Sequence, residues 1–416
     1  MQIRLYEYTD LNLRNGLALA KRIETLGYEA YLVGGCVRDM VRRQLDQTDT
    51  ANIHDIDIAT NMPIDKLKEH FRTASNNGEK HGTILVFMND MPYEVTHFRT
   101  DGNYSDGRHP DDVAMTESFE ADTERRDFTI NALGMKWDGT VIDYHGGVED
   151  ITNKVIRAVG DADARFKEDA LRIVRGIRFS VNFDYHIELD TKGAMTTNSH
   201  LVSNVSNERI RDEILKLKDY DTDTVHSFIE RLVWYDVYKN IKAFELIDQY
   251  DLMGKLISLD TTLTKDNLIP LLAFPGTEKS IDAFMPTREE KKLWKWYQAH
   301  RNIWFTEPPA GKYWTWLVEL VSGDYESILA MEPRSNGGKD WSRDLPIAKY
   351  LVQNMSDMHA INKRVQDMGI VSGKEFGEKA AELLEQEYAK LADALPRTCK
   401  MVFGNSIVEY KLSSVQ

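Results

Sequence analysis

Two aspartates, Asp55 and Asp57, have the spacing that most directly suggests chemistry. They lie within residues 52–60, NIHDIDIAT, whose β-branched residues between turn formers predict a strand. Residues i and i+2 of a strand point to the same face, so both carboxylates would project together. Two such charges repel each other unless cations lie between them, and hard oxygen ligands suit Mg²⁺. We therefore predict Asp55 and Asp57 as catalytic metal ligands; a solvated acidic strand edge is the ordinary alternative.

A third carboxylate and a glycine turn extend this candidate site. Glu94 belongs to a predicted strand at 92–99 and would join the pair as a catalytic carboxylate if that strand lies beside them. Two metal ions about 3.5–4 Å apart can activate an attacking hydroxyl and stabilise a leaving phosphate. Gly34 and Gly35 end another predicted strand, and such a turn before a helix presents backbone N–H groups to a triphosphate. Arg38 would add positive charge there.

A pair of adjacent arginines, Arg125 and Arg126, precedes the apolar stretch DFTINAL at 127–133. Such a segment can place one guanidinium on phosphate oxygens while its apolar side chains anchor the chain. A surface arginine pair is the ordinary alternative, and the residues alone leave it open.

Residues 162–180, ADARFKEDALRIVRGIRFS, have the periodicity of one amphipathic helix with a basic outer face. Asp169, Arg172, Arg175 and Arg178 lie on that face. Asp169 and Arg172 are spaced i and i+3, for which the ordinary interpretation is a local ion pair worth about 0.2–0.5 kcal/mol.

The chemistry of the bases suggests a sharper role for the same pair. Cytosine and adenine each present an exocyclic amine beside an unprotonated ring nitrogen, so an aspartate acceptor next to an arginine donor complements both. Uracil and guanine would leave polar groups unpaired against this pair. Asp169 and Arg172 could thus select the bases C and A without a nucleic-acid template, while Arg175 and Arg178 suit a triphosphate or an RNA backbone.

The elements that must position these residues predict an α+β fold. Strands are predicted at 28–35, 52–60, 82–88 and 92–99, with a hairpin turn at 89–92, and the pattern is helical from about residue 160 almost to the end. We predict an α+β head with a small sheet, followed by a long all-helical region. The expected boundaries are 1–160, 161–220, 221–276 and 277–416.

Composition restricts the class of protein. A chain of 416 residues exceeds what one core usually organises, no apolar run approaches a membrane span, and the start does not resemble a signal peptide. Two cysteines, Cys36 and Cys399, fit a reducing cytoplasm. The net charge of −15 argues against non-specific attraction to a polyanion, although residues 154–178 carry seven basic and four acidic side chains.

These motifs, in this order, resemble the class II tRNA nucleotidyltransferases, the bacterial and eukaryotic CCA-adding enzymes of the polymerase-β-like superfamily. The similarity covers residues 28–218 through LVGGCVRD, HDIDIAT, RRDFTINAL, the region 143–180 and VSNERIRDEILKL. It implies CCA addition to tRNA from CTP and ATP with catalytic Mg²⁺. It also implies a nucleotidyltransferase head with a small mixed sheet (1–160), a helical neck (161–220), a helical body (221–276) and a helical, tRNA-binding tail (277–416). The resemblance assigns Mg²⁺ to Asp55 and Asp57, nucleotide contacts to Gly35, Arg38 and Arg126, an amino-acid template to Asp169 and Arg172, and the same nucleotide site to Arg175 and Arg178.

Alternatives remain within and outside this family. A partial enzyme that adds only CC or only A, a poly(A) polymerase, and an inactive RNA-binding module share many of these motifs. Residues 100–112 resemble the flexible loop of the full CCA-adding members, which favours the complete activity. The link 40–54 is longer than the family usually has, and beyond residue 220 only a faint match at 371–376 remains.

Overall fold

The computed structural model describes two compact units of the chain. The first comprises Met1–Gln249 with Gly276–Met285, and the second comprises Tyr250–Pro275 with Pro286–Gln416. The described residues are 1–46, 53, 55–74, 82–102, 113–218, 220–257, 263–299, 348, 358–368, 374–394, 398–403 and 406–411. The predicted boundaries at residues 160, 220 and 276 stay predictions.

A seven-stranded mixed sheet forms the frame of the first unit. Its strands are β1 (Ala30–Val33), β2 (Asp57–Thr60), β3 (Thr73–Ala74), β4 (Thr83–Met88), β5 (Met91–His97), β8 (Gly134–Met135) and β9 (Val141–Ile142). Their order is β3-β4-β5-β2-β1-β8-β9. β2 and β5 run parallel, whereas the other neighbours are antiparallel. The α+β class predicted from the sequence is confirmed.

The hairpin between β4 and β5 also agrees with the sequence. Met88 pairs with Met91 across the turn, and Asn89 and Asp90 have φ angles of 49° and 63°. Asn and Asp tolerate this left-handed region better than other non-glycine residues, and turns of this kind match the twist of paired strands.

The helices of the first unit surround this sheet and continue beyond it. They are α1 (Leu11–Thr25), α2 (Gly35–Asp46), α3 (Ile64–His70), α4 (Phe119–Glu124), α5 (Gly147–Thr152), α6 (Ala162–Glu168), α7 (Leu171–Phe183), α8 (Leu189–Thr197), α9 (Asn207–Ile214), α10 (Thr222–Trp234), α11 (Lys242–Glu245) and α14 (Glu278–Ala283). Stacked rings of Tyr31, Phe98 and Phe119 fill one part of the core beside β1. This packing fixes β1 and therefore the turn at its end.

The second unit has its own apolar contacts. Helix α12 (Gln249–Ile257) straddles the boundary, and α13 (Leu268–Leu272), α15 (Arg288–Ala299), α16 (Met358–Asp367) and α17 (Lys374–Ala394) follow. The indole of Trp294 donates a hydrogen bond to the carbonyl of Ala273 at 3.0 Å. Arg364 and Glu387 join α16 to α17 at 2.6 Å.

Short two-stranded sheets correct the prediction that everything after the head is helical. β10 (Val155–Ile156) pairs with β11 (His186–Ile187), and β12 (Thr398–Phe403) pairs with β13 (Ser406–Lys411), so strands occur beyond residue 160. A third pair, β6 (Arg99–Asp101) with β7 (Val113–Met115), lies within the predicted head. None of the described helices has the length and apolar character needed to cross a membrane.

Candidate active site

The carboxylates predicted as catalytic meet at the start of β2. The parallel register places Asp57 directly beside Glu94 of β5. Asp55 lies two residues before β2, with a φ of 52°, so the prediction that a strand presents both aspartates is wrong. An aspartate tolerates this left-handed conformation, and the chain bends there before it enters the sheet. The buried side chain of Ile56 anchors the bend.

The charge around Asp57 is strongly negative. Solvent reaches its carboxylate, yet surrounding protein atoms displace much of its hydration. This burial, followed by the charge of Glu94, raises the pKa of Asp57 to about 6; Arg126 opposes the shift and Asp55 adds to it. An excess of carboxylates over cations at one point fits a site for a divalent cation.

The donor set limits how such an ion would be held. Among the described residues, no group of three His, Cys, Asp or Glu side chains has the geometry of a complete metal site. Asp55 and Asp57 would therefore supply two protein ligands, and oxygens of water or of a bound phosphate would complete the shell, as is usual for Mg²⁺. The catalytic role of Glu94 stays a prediction.

The glycine turn brings the predicted phosphate-binding residues to these carboxylates. Gly34 follows β1 with a φ of 75°, a conformation that favours glycine. A Cβ atom placed on Gly34 would lie 3.9 Å from Oδ2 of Asp57 and 4.0 Å from Nη1 of Arg126. Helix α2 begins at Gly35. The turn, Asp57 and Arg126 thus converge as the motifs predicted.

Arg38, on the first turn of α2, is held by several partners. Its Nε and Nη2 donate to the two oxygens of Asp39 at 3.0 and 3.1 Å, and Nη1 donates to Oδ1 of Asn131 at 2.7 Å. Its guanidinium also lies 4.7 Å from the ring centroid of Phe183. The orientation of Arg38 is therefore set before any nucleotide arrives.

The surface interpretation of the arginine pair is wrong. The side chains of Arg125 and Arg126 are 19% and 16% exposed, and both bind Asp122, at 2.8 and 3.1 Å. Burial alone would raise the pKa of Asp122, but the two arginines outweigh it and hold that pKa below its usual value. In the described part of the chain, the buried Nε of Arg126 has no hydrogen-bond partner.

The single helix predicted at 162–180 is broken at Asp169. This residue has extended angles, φ −148° and ψ 102°, between α6 and α7. Its Oδ1 accepts the N–H of Leu171 at 3.1 Å, and its Oδ2 accepts from Arg209 at 2.6 Å. An aspartate side chain competes in this way with helical hydrogen bonds, which periodicity does not register.

The local ion pair expected between Asp169 and Arg172 is also absent from the described contacts. Arg172 instead binds Glu168 at 2.6 Å and the carbonyl of Arg125 at 3.1 Å. Separate partners therefore hold the two side chains. The bond to Arg125 places Arg172 next to the segment that carries Arg126.

The outer basic face predicted for α7 is wrong as well. Arg178 is 6% exposed and binds Glu213 at 2.8 Å. Arg175 binds Asp127 at 2.7 Å and lies 3.5 Å from Glu213. The carboxylates come from the RRDFTINAL segment and from α9, which a helical wheel of residues 162–180 does not include. The nucleotide-binding roles of Arg175 and Arg178 stay predictions.

Sequence reasoning missed four polar residues that organise the site. They are Asp122, Asp127, Asn131 and Glu213. Three of them, Asp127, Asn131 and Glu213, lie inside motifs recognised in the sequence, but in these motifs only Arg126 is assigned a site role. A buried arginine needs a carboxylate partner, and this requirement was the available signal.

Comparison with known proteins shows which enzymes this chain is similar to. Residues 30–157 match the family model described as the poly A polymerase head domain, and residues 184–253 match the one described as the probable RNA and SrmB-binding site of polymerase A. A CCA-adding enzyme of Lactobacillus helveticus is 37% identical over 271 residues, 65% of each chain. One from Streptococcus uberis is 46% identical over 204 residues, 49% of each chain. The matches thus span about half to two thirds of these relatives.

The chain is thus similar to CCA-adding enzymes in both sequence and fold. A similar solved structure, that of the Bacillus stearothermophilus CCA-adding enzyme in complex with CTP, has a TM-score of 0.69 at 25% identity, and the match covers 92% of this chain and 98% of that one. The Thermotoga maritima CCA-adding enzyme complexed with tRNA shares the fold, with a TM-score of 0.65 at 18% identity over 94% of this chain and 97% of its own.

Several expectations for a family member lie outside the described residues. They are most of the loop 100–112, the part of the long link at 47–52 and 54, and the start of the faint match at 371–373. The roles of all the predicted site residues stay predictions from the family motifs.

Proposed function

We propose that this protein adds CCA to the 3′ end of tRNA, using CTP and ATP. The terminal hydroxyl of the tRNA attacks the α-phosphate of the nucleotide, a new phosphodiester bond forms, and the bond to pyrophosphate breaks. The observation that carries the proposal is the convergence of the glycine turn, Asp57 and Arg126 in a chain whose relatives are CCA-adding enzymes. A free buried thiol at Cys36 agrees with a reducing cytoplasm.

Asp55 and Asp57 would hold Mg²⁺ in this proposal, with Glu94 beside them. When bound, the metal ions supply charge that lowers the barrier for an attacking hydroxyl and stabilises the leaving phosphate. The carboxylates of this chain provide the anionic oxygens, and the raised pKa of Asp57, about 6, leaves it mostly ionised at neutral pH.

The triphosphate would lie along the glycine turn and the start of α2. Gly34 and Gly35 let the backbone approach the phosphates, and Arg38 and Arg126 are already oriented by Asp39, Asp122 and Asn131. Preorganised arginines lose little freedom when they bind phosphate. The partnerless Nε of Arg126 has hydrogen-bonding capacity to spare.

Selection of C and A would fall to Asp169 and Arg172. Their side chains are 15% and 10% exposed and are fixed by Arg209 and Glu168. An acceptor and a donor fixed in position would match the Watson–Crick edges of cytosine and adenine and reject those of uracil and guanine.

Transcripts of tRNA that lack CCA test this proposal directly. We expect CTP alone to add C residues, CTP with ATP to complete CCA, and UTP and GTP to be rejected. Asp57→Ala should abolish incorporation, whereas Asp65→Ala on the exposed face of α3 serves as a matched control. Unchanged incorporation by Asp57→Ala would refute the metal assignment.

A second candidate, poly(A) polymerase activity, is favoured by the family description of residues 30–157. The same gel separates it from CCA addition, because a polymerase would extend RNA by many A residues from ATP alone. Products that stop at CC or contain a single A would identify a partial enzyme instead. If no nucleotide were incorporated, an RNA-binding module without activity would be favoured.

A further inference from the structure

A chain of polar contacts runs from α7 to the glycine turn and includes residues to which the proposed function gives no role. Arg175 donates through Nε and Nη2 to Oδ2 of Asp127, at 2.8 and 2.7 Å. Its third nitrogen, Nη1, lies 3.5 Å from Glu213. All three nitrogens of Arg175 therefore face carboxylates of the protein, which argues against a direct role as a phosphate ligand.

The next member of the chain of contacts is Asn131. Its Nδ2 donates to Oδ1 of Asp127 at 3.0 Å, while its Oδ1 accepts from Arg38 at 2.7 Å. Its backbone carbonyl accepts from Nη1 of Arg126 at 3.4 Å. One residue thus contacts both arginines that are predicted to bind the triphosphate.

The orientation of the Asn131 amide depends on the charge of Asp127. A carboxylate accepts only, so the amide must turn its NH₂ group toward Asp127 and its oxygen toward Arg38. Burial alone would raise the pKa of Asp127, but Arg175, Asn131 and the N–H of Phe128 hold that pKa at about 2. A reversed amide would present N–H groups to an arginine that has only donors, and the contact with Arg38 would be lost.

We propose that Asn131 is a positioning residue for the nucleotide site and that Arg175 acts through Asp127 to orient its amide. The amide oxygen then holds Arg38, and the backbone carbonyl holds Arg126. This inference rests on the proposed function, because it takes Arg38 and Arg126 as the triphosphate ligands. It reassigns Arg175 from a ligand of the nucleotide to a residue that acts through two others.

A double-mutant cycle between Arg175 and Asn131 tests the proposal, because both side chains bind the carboxylate of Asp127. The variants are Arg175→Gln, Asn131→Ala and the two combined, and the measurement is the Kd for CTP with saturating Mg²⁺. Distant residues without shared partners normally have additive effects. We expect each single change to weaken binding about tenfold and the double change to weaken it by about the same tenfold, not about a hundredfold.

The matched control is Arg157→Gln, which removes an arginine that contacts the buried Asp150 at 3.2 Å. It should leave the Kd for CTP unchanged. Unfolding midpoints of all variants identify losses that come from misfolding. The kinetics should show KM rising more than kcat falls, because the chemistry at Asp57 is untouched.

The outcomes separate this inference from the proposed function. Additive losses in the cycle would make Arg175 a direct ligand and overturn the inference, as would an unchanged Kd in folded Asn131→Ala. If the unaltered protein bound no CTP, the proposed function would fall and the inference with it.

Discussion

The negative charge around Asp57 makes metal binding dependent on pH, and Glu94→Gln should shift that dependence. A protonated Asp57 is a poor metal ligand. With a pKa of about 6, roughly 90% of the Asp57 side chains are ionised at pH 7 and roughly 10% at pH 5. The affinity for Mg²⁺ should therefore fall by up to about tenfold per pH unit below 6.

The size of the pKa shift that Glu94→Gln should cause at Asp57 follows from the spacing between β2 and β5. Paired strands lie about 4.8 Å apart, so the two carboxylates are separated by roughly 6 Å. Their repulsion is then about 0.7 kcal/mol at the dielectric constant of water and about 3 kcal/mol at an effective value near 20. Because solvent reaches Asp57, the lower half of this range applies, and Glu94→Gln should lower the pKa of Asp57 by about one unit.

Calorimetric titration with Mn²⁺ or Mg²⁺ between pH 5 and 7.5 measures this shift without requiring activity. At pH 5 we expect the Glu94→Gln variant to keep a larger share of its neutral-pH metal affinity than the unaltered protein does. The pH at which metal binding is half lost should be about one unit lower in the variant. Glu69→Gln, which changes an exposed carboxylate of α3, should match the unaltered protein. An acid midpoint that stays in place, or rises, in Glu94→Gln would refute the account of this charge cluster.

Three further predictions concern the turn, a buried carboxylate and base selection. Gly34→Ala should weaken CTP binding, because a residue with a Cβ atom would have to adopt a φ of 75°, at a cost of about 1 kcal/mol. An unchanged Kd in a titration with CTP would contradict this strain. Asp122→Asn should destabilise the fold by about 3–5 kcal/mol in urea unfolding, since it removes the buried carboxylate that Arg125 and Arg126 share. Asp169→Asn, whose amide both donates and accepts, should raise UTP incorporation; strict rejection of UTP would contradict the template role.

The sequence was informative where local chemistry decides the structure. The strand that precedes Gly34 and the hairpin at Asn89-Asp90 follow from β-branched runs and turn formers, and both are present. The glycine turn and Asp57 were placed together because a known order of motifs carries them. These features depend on neighbours in the chain, so a pattern can predict them.

The features that were missed depend on residues distant in the chain. The partner of Asp169 is Arg209, forty positions later, and the partner of Arg178 is Glu213. A helical wheel treats a charged face as solvated unless the opposite charge lies within one or two turns. Asp127 and Glu213 bind Arg175 and Arg178 of α7, so these arginines are less exposed than the helical wheel predicts.

The bend at Asp55 was missed for a different reason. Its neighbours Ile56 and Ile58 alternate as in a strand, and alternation alone does not distinguish a strand from the extended segment that leads into it. The positive φ of Asp55 is a cost that surrounding packing must offset, and the site is where such strained residues tend to occur.

The central claim is that one site holds the metal ions at Asp55 and Asp57 and reads the base with Asp169 and Arg172. A crystal structure with CTP and Mg²⁺ tests it most directly. We expect a metal ion bound by both aspartates and by the triphosphate, with the cytosine amine facing Asp169 and its ring nitrogen facing Arg172. A nucleotide whose base lies away from Asp169 and Arg172 while its phosphates reach the metal would contradict the account.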